Sequence, residues 1–159
     1  MGGLGLLCGF GLFGCLCARG IGGSEFLGQF LREEAELERS RGNDAAARQA
    51  LREAVEIAVD EDVIHVIPML PTAARVLPRE ETERLIERVR DLPSTPLRDA
   101  LRAEAEAVLT QDAGRFLEAA ALYRDVEMPY EEARCLAAAG DVEGSTAISE
   151  RLGVPAPRL

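Results

Sequence analysis

Lysine and tryptophan are both absent from this 159-residue chain, histidine occurs once and aromatic residues make up only 4 %. All eighteen basic residues are therefore arginine. Without a lysine amine there is no phosphate-gripping lysine loop, no Schiff base and no Ser–Lys dyad. The shortage of aromatic and β-branched side chains argues against sheets, whereas a core of Ala and Leu suits closely packed helices. A disulfide framework is excluded too. Of four cysteines, Cys8, Cys15 and Cys17 lie in the first seventeen residues and only Cys135 lies in the body, which fits a reduced compartment. A formal charge of −10 opposes the phosphate backbone, so no nucleic acid is expected as a partner of this chain alone.

What is present has a globular balance, 47 % apolar and 29 % charged, over a length that accommodates one domain with a real core. The chain divides into a non-globular segment over 1–23, a helical domain over 24–155 and a tail over 156–159. Residues 1–23 hold nine of the fifteen glycines, and residues 1–18 carry no charge. Three readings stay open there. The run approaches the ~20 residues of a membrane span, with Gly5-x-x-x-Gly9 suited to close helix packing. Leu12-Phe13-Gly14-Cys15 loosely resembles a lipoprotein box, although no basic residue precedes the apolar run. A disordered or non-native extension is the third. The expected location is cytoplasmic, with membrane anchoring through residues 1–18 as the alternative.

From Ser24 the apolar period is helical. Phe26, Phe30, Leu31 and Ala35 share one face, and Ala47, Leu51, Ala54, Val55 and Ala58 another. Gly42 between them is placed to take a left-handed C′ position, with Asn43 or Asp44 as the next cap. Further pairs are expected over 97–109 with Phe116 to Val126, and over 130–139 with 142–152. Between them lies a weaker pair, 63–76 followed by a run opened by Pro78, where Pro68 and Pro71 must kink or shorten the first helix. Segments of about thirty residues, each one helix–turn–helix, predict an all-α, α-α superhelix of about four hairpins.

The residues at set positions carry a resemblance. Ala35, Gly42, Ala47 and Leu51 in the first hairpin are spaced like Ala107, Gly114, Ala119 and Tyr123 in the third. In the fourth, Ala133, Leu136 and Gly140 match, Ser145 stands where Ala is usual, and Leu152 closes the face. This pattern resembles the tetratricopeptide repeat, in which small residues let two helices approach and a bulky one fills the gap. The stretch PYEEARCLAAAGD at 129–141, with RLGVP at 151–155, is similar to the last repeats of bacterial LuxR-type ATPase regulators and nucleotide-cyclase-like signalling proteins. What that resemblance implies is a detached or truncated regulatory region. No phosphate loop or helix-turn-helix accompanies it here, which puts an ATPase or DNA-binding role in doubt.

Candidate chemistry is sparse. His65 has no zinc-type spacing around it, Cys15-x-Cys17 lacks companions, and Asp60, Glu61 and Asp62 read as an acidic first turn. No catalytic residue, metal or cofactor is assigned, and no enzymatic role is expected. Helical register instead points Gln29, Arg32, Glu36 and Arg39 of the first hairpin, and Glu104 and Val108 of the third, into a groove formed by the first helices of successive pairs. A protein or peptide partner is expected there. Self-association is a further expectation, because nothing caps the Leu152 end of the array.

Overall fold

The computed structural model describes residues 24–157, which form eight α-helices and one 3₁₀ segment, with no strand among them. Helix α1 (Ser24–Ser40) stops where Gly42 turns left-handed at φ 79°, a conformation costly for any side chain with a Cβ. The amides of Gly42 and Asn43 then donate to the carbonyls of Arg39 and Glu38 at 3.0 and 2.9 Å. Helix α2 (Asp44–Glu61) follows at once. Asn43 stands at its N-cap but makes no cap bond, and its side-chain amide donates to Glu38 Oε2 at 2.6 Å.

The second unit departs from a plain hairpin. Where a kinked helix was expected over 63–76, a 3₁₀ segment (Val63–Met69) runs into a seven-residue helix α3 (Leu70–Val76). Pro68 supplies no N–H to an α-helical ladder and Pro71 opens the shorter helix, so the break falls where backbone donors are missing. Helix α4 (Arg79–Arg88) then packs on α3 less extensively than α5 does. Among the described residues eight helices are present, but not four equal hairpins. The acidic run is also placed differently: Asp60 and Glu61 end α2, and only Asp62 caps the 3₁₀ segment, accepting from Ile64 N at 3.1 Å.

Three further turns are capped by side chains. Helix α5 (Pro96–Thr110) starts with Thr95 Oγ1 accepting from Arg98 N at 3.3 Å. Helix α6 (Ala113–Asp125) starts with Asp112 Oδ1 accepting from Arg115 N at 2.9 Å. Helix α7 (Pro129–Ala139) leads through Gly140 to α8 (Val142–Leu152), where Asp141 Oδ1 accepts from Gly144 N at 2.9 Å. Each bond satisfies an amide that the first helical turn leaves orphaned. The turn between α5 and α6 corrects the expected register. Gly114 lies within the first turn of α6, and Gln111, at φ 54°, is the left-handed residue.

Helices α1 and α2, α5 and α6, α6 and α7, and α7 and α8 pack side by side. Two apolar clusters result. One gathers Leu31, Leu51, Val66, Leu70 and Val89; the other gathers Ala119, Ala120, Tyr123, Cys135 and Leu136. Leu101 of α5 touches both. The small residues that carry the repeat pattern, Ala35, Ala47, Ala54, Ala107, Ala119 and Ala133, are all buried, as helix approach requires. Leu152 does not close its face: it is 39 % exposed. Among the described residues no helix is long and apolar enough to cross a membrane, and the anchor and cysteine-pair expectations for residues 1–18 lie outside them.

Candidate functional site

Helices α1, α3, α5 and α7 turn one side toward a common groove of about 470 Å³. Its walls include Arg32 and Arg39 from α1, Arg75 from α3, Leu97 and Leu101 from α5, and Tyr130 and Arg134 from α7, with Pro157 of the tail at its edge. A second chamber of about 230 Å³ adjoins it, lined by Arg39, Arg75, Glu104, Val108, Phe116 and Arg134.

Glu104 forms the floor of that chamber and is fully buried, at 0 % exposure. A buried carboxylate is tolerable only when its oxygens are saturated with donors. Arg134 supplies two, from Nε to Oε1 at 2.9 Å and from Nη2 to Oε2 at 2.9 Å. Tyr123 donates its hydroxyl to Oε2 at 2.6 Å, and Arg75 donates to Oε1. Arg75 also lies 3.7 Å from Glu36, which in turn accepts from Arg39 Nε at 3.0 Å. The chain Arg39–Glu36–Arg75–Glu104–Arg134 thus runs from α1 through α3 and α5 to α7.

The electrostatic consequences follow from these contacts. Burial alone would raise the Glu104 pKa, but the opposing charges of Arg75 and Arg134, with hydrogen bonds from Arg134 and Tyr123, hold it below the ordinary carboxylate value. Burial and the neighbouring Glu104 charge push the Tyr123 hydroxyl well above its ordinary value. Burial opposes the charge on Arg134, yet the Glu104 carboxylate outweighs it and raises that pKa. Cys135 is buried beside the same groups, and burial followed by Glu104 pushes its thiol upward, away from the thiolate a nucleophile needs.

Five of the six residues expected in the groove come together there: Arg32, Glu36 and Arg39 from α1, and Glu104 and Val108 from α5. Gln29 does not join them. It lines a small adjoining cleft of about 30 Å³ with Gly28, Ile57, His65 and Met69, where α1 crosses α2 and the 3₁₀ segment. Gly28 lies close to the Met69 methyl there, which a Cβ would meet at 3.3 Å. No family model, curated protein or solved structure matches the chain. The functional reading therefore rests on the site itself.

Arg75, Arg134 and Tyr123 are the site residues that register on single helices did not deliver. A signal for two of them was present. Arg75, Glu104 and Arg134 are spaced by 29 and 30 residues, the length of one helical pair. Alternating charge at that spacing is what adjacent pairs need in order to clamp one another. The same period joins Arg52 to Glu81, at 3.0 and 2.7 Å, and Arg79 to the Leu109 carbonyl at 3.2 Å. Among the described residues no group of three His, Cys, Asp or Glu side chains is arranged to hold a metal ion.

Proposed function

We propose that this chain is a tetratricopeptide-like superhelical scaffold whose groove binds a partner protein or peptide, and that it serves as a regulatory coupling region of a bacterial signalling or transcriptional regulator. One observation carries the proposal. The helices that open the successive units, α1, α3, α5 and α7, contribute side chains to a single concave surface. Contacts spaced by about one helical pair support the superhelical part. In such arrays the inner helices present a continuous binding face, while stacking neighbours bury the core. The reading assigns no bond-making chemistry to the groove: its ionisable groups hold one another, and the one described cysteine is kept as a thiol.

A photo-crosslinking residue placed at Val108, on the chamber wall, tests the groove in host cells, with one at Glu53 on the exposed side of α2 as the control. The proposal expects a defined protein captured from Val108 and not from Glu53. Capture from Glu53 alone, or equally from both, would overturn it. An immunoblot reads the regulatory part: a band much heavier than 17.2 kDa is expected if the domain is one region of a larger regulator.

A further inference from the structure

The segment that follows α8 returns to the groove. Gly153 turns left-handed at φ 68°, and Val154 N donates to the Ser149 carbonyl at 3.1 Å, which fixes the direction in which the chain leaves the helix. Residues 153–156 are exposed, yet Pro157 is half-buried in the wall of the groove. Charge selects no occupant there, because the arginines are matched by Glu33, Glu36 and Glu131 in the walls and by Glu104 in the adjoining chamber. The stretch Val154-Pro155-Ala156-Pro157 carries no charge either. Among the charged groups of the groove stand Leu97 and Tyr130, 42 % and 44 % exposed, with Leu101 and Met128 half-buried.

We infer that this segment is a built-in occupant of the groove's mouth, an autoinhibitory contact that a partner must displace. The inference rests on the binding role proposed above and adds its regulation. Each proline fixes φ at about −65° and lacks an N–H, so ordering the segment costs little entropy and leaves no donor to satisfy at those two positions. A residue before proline is pushed toward extended backbone, which keeps Val154 and Ala156 from coiling back into the helix. Extended Pro-x-Pro segments lie well on surfaces that present aromatic side chains, and Tyr130 supplies one in this groove. The steps from Val154 to Pro157 span at most about 10 Å, so α8 tethers the segment beside the groove and holds its effective concentration there high. A contact one proline deep is weak enough for a partner to displace.

Photo-crosslinking within the full chain tests the contact. Benzoylphenylalanine in place of the exposed Tyr130, irradiated and then digested with trypsin, is expected to join the peptide 125–134 to the peptide 152–158 of the same molecule. The same group at Glu53, on the exposed side of α2, is the control and should not reach 152–158. The competition is read by capture through Val108 in host cells, from the natural chain and from one carrying Pro155→Gly and Pro157→Gly. Both substitutions lie beyond α8, so the melting temperature should hold. The loosened segment closes the groove less often, and capture should rise by at least ~3-fold, since apparent affinity scales with the open fraction. A crosslink from position 130 that misses 152–158, or that forms only between two molecules, overturns the inference, while capture through Val108 keeps the groove. A crosslink to 152–158 with capture unchanged by the two substitutions overturns it as well, because the segment is then wall and not gate. If neither form captures a partner through Val108, the binding role itself falls and the inference falls with it.

Discussion

Replacing Glu104 by alanine should cost this protein more stability than any other single truncation in the groove. The carboxylate is fully buried and accepts from Arg75, from Arg134 twice at 2.9 Å and from Tyr123 at 2.6 Å. Alanine leaves two guanidinium groups facing one another, with side-chain exposures of 15 % and 27 %, and a buried phenol without its acceptor. Breaking a buried ion pair on one side costs about 3–5 kcal/mol. The partial exposure of both arginines puts the expected loss near the lower end, about 3 kcal/mol. For a domain of this size that lowers Tm by roughly 10 °C. Circular dichroism during urea and thermal unfolding measures it. The cause is separable: substituting Leu at Arg75, Glu104 and Arg134 together removes the orphaned charges and should recover most of the loss. A Glu104→Ala loss under about 1 kcal/mol would refute the argument that Glu104 is a buried carboxylate saturated by Arg75, Arg134 and Tyr123.

The same contacts set further outcomes. Because the folded-state pKa of Glu104 lies below its unfolded value, its contribution is present above the ordinary carboxylate range and is lost as pH falls through the folded pKa; the urea midpoint of Glu104→Gln should therefore fall less steeply on acidification than that of the natural chain. Arg98→Ala should cost about 2–4 kcal/mol in chemical unfolding, because its buried guanidinium donates to the carbonyls of Val89, Arg90 and Pro93 at 2.6, 2.8 and 2.6 Å and closes the end of α4. Ser145→Ala should stabilise by about 1 kcal/mol, since the buried hydroxyl has no hydrogen-bond partner among the described residues; a loss of stability would contradict that placement. Ala119→Leu should overpack the second core and cost about 1–3 kcal/mol, and an unchanged Tm would contradict the close approach of α6 to its neighbours.

The helices were legible in the sequence because local signals agreed with the final packing. Apolar spacing and the turn glycines Gly42 and Gly140, at φ 79° and 89°, mark boundaries that the structure keeps. The second unit was harder to read. Two prolines predict that a helix fails, but not that a 3₁₀ segment and a seven-residue helix replace it, nor that α3 settles mainly on α5. Asp60 and Glu61 misled because an acidic pair reads as a first helical turn, yet α2 continues through both before it stops. In the groove, register on one helix found Arg32, Glu36, Arg39, Glu104 and Val108. It could not show that Glu104 is buried rather than solvated. That depends on Arg75 and Arg134, one helical pair away on either side, and on Tyr123 beneath it. Charges that satisfy one another across repeats look, in a single helix, like an ordinary exposed face.

The most direct test of the groove as the functional surface is amide chemical-shift mapping of the isotope-labelled chain titrated with the partner captured through Val108. Perturbations confined to the neighbourhood of Arg39, Arg75, Leu97, Val108, Tyr130 and Arg134 are the predicted result. Perturbations centred instead on Arg48, Arg52 and Glu56, which line a shallow depression on α2, would contradict the account.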